Sequence, residues 1–348
     1  AKLKGAILYA GKEKIGMVYI LSDITEIVNL NTELENKVVS RTKLLSEAKD
    51  EAEDRLRITE IYTRRSIVEM IKNGIDPTRI TPTNKNVTVL FSDIRNFTAL
   101  SERMNALTTI GLLNQYFEKM NKIVIDHDGE IDKLIGDCIM ALFDEPENAI
   151  SCAIAMRKGL SELNDENHLP FRLDSGIGIN YGEVSVGNIG SGSKMDLTVI
   201  GDIVNSASRL ESLTKHYYLP IIISEDVAAQ MKGEHDTRFV DHVLVKGKTD
   251  PIRIYEVYDQ DKNDIKELKK EKAPQMAEAY NEYIVGNFSR AIQLYQTIYK
   301  SLPPHTWRTG ESADPLVDFY LQRILSLNEK KELGLMKSWN GIYEFSEK

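Results

Sequence analysis

EIDKLIGDCIMALF, Glu130–Phe143, is the stretch on which the fold turns. Its apolar arms, IDKLI and CIMALF, flank Gly136-Asp137. A two-residue turn of this kind between apolar runs predicts a β-hairpin. A lysine, Lys133, stands inside the first arm, and a carboxylate, Asp137, stands at the tip. An ammonium buried without a partner is costly, so Lys133 requires one. Upstream, VTVLFSD is a short, continuously apolar strand that ends on Asp93. If that strand lies beside the hairpin, Asp93 and Asp137 converge. Two carboxylates at close range repel, and a shared proton or a hard dication resolves the conflict. A pair of solvated turn aspartates is the plainer reading of the same residues.

Downstream, GNIGSGSKMDLTVIGDIVNSASRLESL predicts a glycine-rich hairpin, a short strand and a helix beginning near Asp202. Asn205 and Arg209 are four residues apart and share one helix face, while Val204, Ala207 and Leu210 form its buried side. An amide and a guanidinium on one face suit developing phosphoryl charge. A capped amphipathic helix with a surface arginine has the same pattern.

The bulk numbers exclude some classes. The chain has 348 residues, 42% hydrophobic and 28% charged, which suits two modest domains or one domain with extensions. A net charge of -9 argues against a nucleic-acid polymer as partner, because phosphate backbones are held by clustered Lys and Arg. Two cysteines, Cys138 and Cys152, cannot build a disulfide framework, and reduced buried thiols of a cytoplasmic protein are expected. No apolar run reaches membrane-span length. The opening Ala-Lys-Leu-Lys runs at once into a strand-like pattern, as in a fragment of a longer chain.

Residues 1–26 contain two short strands, GAILYA and IGMVYIL, joined around Gly11-Lys12. The following SDITEI resembles the end of a PAS-type sensory domain; an ordinary hairpin followed by a capped helix fits equally. Residues 27–73 lack proline and glycine and are densely charged, with Glu33/Lys37 and Glu51/Arg55 at i,i+4. Leu34, Val38, Leu45, Ala48 and Ala52 form a seam interrupted by Arg41 and Arg55. This predicts a long helix in a parallel two-stranded coil, or a solvated helix on its own domain. Residues 84–260 alternate strand and helix patterns. The tail, 263–348, is helical and resembles one tetratricopeptide-like helix pair, with Ala277, Tyr280, Tyr283, Phe288, Ala291, Leu294 and Ile298 inward and WNGIYEF closing it.

FSDIRNFTALSE, IDKLIGDCIMALF, GIGINYGEVSVGNIGS, TVIGDIVNSASRLE and VKGKTDPIRIYEV together resemble the class III nucleotide cyclases in order and spacing. The resemblance implies an α+β fold with a ferredoxin-like βαββαβ palm, preceded here by the coiled-coil helix and followed by the helical extension. It implies an adenylate cyclase that converts ATP to 3′,5′-cyclic AMP and pyrophosphate. Asp93 and Asp137 would hold two Mg²⁺ or Mn²⁺ ions, with the Ile94 carbonyl as a further ligand. Lys133 and Thr198 would read adenine, Asn205 would orient the ribose, and Arg209 would stabilise the pentacovalent phosphate. Lys246, or else Lys248, would contact the terminal phosphates. Family sites are shared across a dimer, so a homodimer of this chain would carry two, regulated by an upstream sensory domain through the coiled coil. Threonine at 198 resembles the bicarbonate-responsive branch. The alternatives are a guanylate cyclase, which would carry glutamate at 133, and a catalytically silent nucleotide-binding regulator.

Overall fold

The structure, a computed structural model, describes residues 1–167, 171–191, 194–233, 235–244, 250–303, 314–335 and 338–345. Lys246 and Lys248 lie outside the described residues. The chain divides into two compact units, Ala1–Glu69 and Met70–Lys348.

In the first unit, β1 (Lys2–Ala10) and β2 (Glu13–Ser22) form an antiparallel hairpin that turns on Gly11, whose φ is +62°. Large apolar side chains such as Leu3, Ile7, Tyr19 and Leu21 are exposed along it. The helix α1 (Thr25–Tyr62) buries none of its residues, the Leu34–Val38–Leu45 seam included. The uninterrupted helix expected to Asn73 instead breaks at Thr63, whose backbone is extended, and α2 (Arg65–Lys72) follows. Ile61, Tyr62 and Thr63 are β-branched or aromatic, the types that lose most side-chain freedom in a helix.

The second unit is built on β3 (Thr83–Ile94), followed by the one-turn α3 (Phe97–Ser101) and by α4 (Ala106–Asp126). The hairpin β4 (Glu130–Ile135) and β5 (Cys138–Phe143) comes next, then α5 (Pro146–Asn167) and the long β6 (Ser175–Ser191). These elements run β-α-β-β-α-β with the four strands ordered β6-β3-β5-β4, each antiparallel to its neighbour. That is the ferredoxin-like arrangement. β7 (Lys194–Ile200) folds back on the distal half of β6, and α6 (Asp202–Tyr217) follows. β8 (Ile221–Ser224) pairs parallel to β6, α7 (Glu225–Gln230) is a short connector, and β10 (Ile252–Val257) and β9 (Thr237–Leu244) extend the sheet antiparallel.

From Val87 onward β3 is buried on both faces, which is why that part of its sequence reads as one apolar run. Leu90 and Ile94 meet α4 and α5 through Tyr116, Met120, Ala153 and Met156. Val87, Val89 and Phe91 point the other way, into a core shared with Met140, Val184, Val199 and Ala207 of α6. The closeness of α6 to β6 is set by Gly178: a Cβ there would lie 2.1 Å from the Glu211 backbone nitrogen.

The tail is part of the same unit. α8 (Asn263–Ile284), α9 (Phe288–Ser301) and α10 (Pro315–Glu332) share a core with Leu210, Leu213 and Tyr217 of α6 and with Val240 and Ile254 of the sheet. β11 (Tyr343–Glu344) adds parallel to β9. Tyr283, Phe288, Ala291 and Ile298 are buried as the spacing predicts, but Ala279 faces inward where Ala277 was expected. Ala279 and Tyr283 are one helical turn apart, and that phase excludes Ala277. Two ionic knots fasten this interface. Asp241 receives the Tyr217 hydroxyl and Arg323, and Arg238 joins Glu256 to Asp314. Cys152 is buried and Cys138 half-buried, both as free thiols.

Candidate active site

Because β3 pairs with β5 in the register Ser92↔Ile139, the end of β3 reaches the β4–β5 turn. There the Ile94 backbone N–H donates to Asp137 Oδ2 at 3.2 Å. Gly136 holds the turn with φ +66°, a conformation that favours glycine. Burial, and then the charge of Asp93, push the Asp137 carboxyl up to about 6.

Asp93 has found a cation: Lys215 Nζ donates to its Oδ2 at 3.0 Å. Burial disfavours the Lys215 charge, yet the bond to Asp93 and the field of Glu211 outweigh it and raise its pKa. Glu211 itself is pushed up to about 7, first by burial. The end of β3 is tied to the last turn of α6 by Arg95, which donates to the carbonyls of Thr214 at 3.2 Å and Leu219 at 2.7 Å. A guanidinium at a helix C-terminus meets the negative end of the helix dipole.

Asp93 and Asp137 present oxygen donors, crowd each other's charge, and already draw an ammonium. That is the chemistry of a site for a hard divalent cation. Among the described residues no group of three or more His, Cys, Asp or Glu side chains is arranged to hold a metal, so backbone or substrate oxygens would have to complete the set.

A second cluster lies along β4. Lys133 Nζ is 3.3 Å from Asp132 Oδ2 and 3.3 Å from Asp196 Oδ2, which supplies the partner its position demands. Thr198 Oγ1 donates to the same Asp132 oxygen at 3.0 Å. The Asp132 side chain is fully buried, and Lys133 is one-third exposed. Lys133 and Thr198, 65 positions apart, are thus joined through one carboxylate.

On α6, Asn205 is exposed, and one turn later Arg209 keeps a buried guanidinium nitrogen, Nη1, without a hydrogen-bond partner. Such a group is costly unless a ligand answers it. Reading the sequence missed Lys215, Arg95 and Asp132. Asp132 did leave a signal, a carboxylate directly beside the lysine that needed one. Lys215 left little, since its partner is 122 positions away.

Comparison with known proteins adds three findings. A family profile described as "Adenylate and Guanylate cyclase catalytic domain" matches residues 80–258. The chain is 41% identical over 201 residues to an adenylate cyclase of Anabaena cylindrica, covering 55% of this chain and 39% of that protein. It is 34% identical over 228 residues to the terminal-differentiation-specific adenylate cyclase of Dictyostelium discoideum, covering 63% of this chain and 11% of that one. The chain therefore spans well under half the length of these relatives. Among solved structures, a bacterial light-regulated adenylyl cyclase superposes with a TM-score of 0.57 at 29% identity, covering 65% of this chain and 66% of that one.

Proposed function

Since the chain belongs to the adenylate and guanylate cyclase catalytic-domain family, we propose that it is an adenylate cyclase, which forms 3′,5′-cyclic AMP and pyrophosphate from ATP. The observation that carries the choice of nucleotide is the Lys133–Asp132–Thr198 cluster, an ammonium and a hydroxyl gathered on one carboxylate. A guanine reader needs a free acceptor at the position of Lys133. The relatives named as adenylate cyclases support the same reading.

Asp93 and Asp137, with the Ile94 carbonyl, would hold Mg²⁺ or Mn²⁺. Such ions, when bound, acidify the 3′-hydroxyl and neutralise the triphosphate. Lys133 and Thr198 orient the base, Asn205 the ribose, and Arg209 meets the charge that grows on the α-phosphate during in-line attack. Lys246 would take the terminal phosphates. Lys215 and the unanswered Arg209 nitrogen support a site that handles anions. The active unit would be a homodimer, with metal-type aspartates from one copy and Arg209 from the other. The exposed seam of α1 would pair the two copies and couple the PAS-like hairpin to their closure. Among the described residues no helix is long and apolar enough to cross a membrane.

The deciding measurement is cyclic nucleotide formed from ATP and from GTP with Mg²⁺ or Mn²⁺. Cyclic AMP should form in preference, and Asp93→Ala should abolish it. A preference for GTP, or no product from either, sinks the reading. Mixed Asp93→Ala and Arg209→Ala chains should recover part of the activity; failure to do so despite subunit exchange rules out shared sites. Bicarbonate should stimulate at fixed pH relative to a chloride control.

A further inference from the structure

We propose that Asp132 is a positioning residue that fixes the direction of the base-reading hydrogen bonds and thereby selects a 6-aminopurine. The proposal rests on the reading of Lys133 and Thr198 as the groups that meet the base.

The backbone places Asp132 deliberately. Along β4–β5, Ile131 faces Ala141 and Lys133 faces Met140, so Asp132 is the extra residue of a β-bulge. A bulge re-aims a side chain out of the strand's alternation. Here it buries a carboxylate on a strand whose next residues, Leu134 and Ile135, are exposed. The bulge brings that carboxylate within 3.0 Å of Thr198 Oγ1 and 3.3 Å of Lys133 Nζ, both on Oδ2.

The consequence is one of polarity. A carboxylate only accepts, so the hydroxyl of Thr198 must spend its single proton on Asp132. Its oxygen is left with lone pairs alone for any further partner. Lys133 has three protons and no lone pair, and keeps N–H capacity beyond Asp132 and Asp196. The pair therefore offers one acceptor and one donor. Adenine presents a 6-amino donor beside the N1 acceptor and matches both. Guanine presents the reverse, an O6 acceptor beside N1–H, so oxygen would face oxygen and N–H would face ammonium. Without Asp132 the threonine hydroxyl could rotate and donate, and it would no longer distinguish the two bases.

The test compares kcat/KM for ATP, GTP and purine riboside triphosphate, which lacks the 6-amino group, on the full chain. Wild type, Asp132→Ala, Lys133→Ala, Thr198→Val and Thr198→Ser are measured together, with thermal melts to confirm folding. Asp132→Ala should lose about 10-fold of the ATP-over-GTP preference, the scale of one hydrogen bond, mainly through KM for ATP. Wild type should disfavour purine riboside triphosphate by about 10-fold. Thr198→Val should erase that penalty and Thr198→Ser retain it. If Lys133→Ala and Thr198→Val lower the preference while Asp132→Ala leaves it unchanged, the base-reading assignment stands and the role of Asp132 is overturned. If neither Lys133→Ala nor Thr198→Val alters it, the assignment itself fails and takes the proposal with it. Should Asp132→Ala not fold, wild type that uses both purine triphosphates equally still overturns the proposal.

Discussion

Asp132 and Asp137 lie five positions apart on one hairpin, yet they live under opposite electrostatic conditions. Asp132 is fully buried and receives donors from Lys133 and Thr198. Asp137 is less buried and accepts one backbone N–H, but burial, and then the charge of Asp93, push it up to about 6. Depth of burial alone would have ranked Asp132 as the strained residue. The partners differ: one carboxylate is given donors by the protein, and the other keeps the repulsion of Asp93.

The comparison breaks first on activity. Asp137→Ala should lower cyclic nucleotide formation roughly 100-fold or more, the scale of removing one preorganised electrostatic group. Asp132→Ala should cost far less and change preference more than rate. Equal losses at both positions would erase the distinction between them.

It sharpens next on stability, where one substitution should change sign. Asp132→Asn removes the charge that answers Lys133 and puts an amide donor in place of one acceptor oxygen, and should destabilise by about 1–3 kcal/mol in denaturant melts without nucleotide or metal. Asp137→Asn relieves repulsion and should be neutral or stabilising. Destabilisation at both positions would show that Asp137 is structurally satisfied after all.

The smallest effect is in the pH profile. The folded carboxyl of Asp137 titrates near 6 rather than the ordinary 3.8, and Glu211 near 7 rather than 4.5. Between the two values the folded chain keeps a proton that the unfolded chain has released. Metal-free stability should therefore fall as pH rises from about 4 to about 7. Stabilisation by Mg²⁺ should grow over the same range, and Asp137→Asn should flatten its lower part. A metal response independent of pH would contradict this.

What could be read in the sequence was what neighbours in the chain decide. The hairpin followed from glycine between two apolar runs, β3 from its unbroken apolar residues, and the α6 face from four-residue spacing. What escaped depended on distant packing. The bulge that turns Asp132 inward is a one-residue slip in register, and no local propensity encodes it. Lys215 meets Asp93 through the packing of α6 on the sheet, where Arg95 also ties the end of β3 to the last turn of the helix. The break at Thr63 and the inward turn of Ala279 are matters of phase, where a single residue changes the answer. The roles given to Asn205, Arg209 and Lys246 still rest on resemblance.

The core that α6 shares with the tail bears on how this chain may be cut. A segment trimmed to the family motif, ending near residue 260, would leave Leu213, Tyr217, Val240 and Ile254 facing solvent and Asp241 without its arginine. The unit of homology and the unit of folding end at different places. A soluble catalytic preparation should therefore keep the sequence through Phe345, where the added strand closes the sheet.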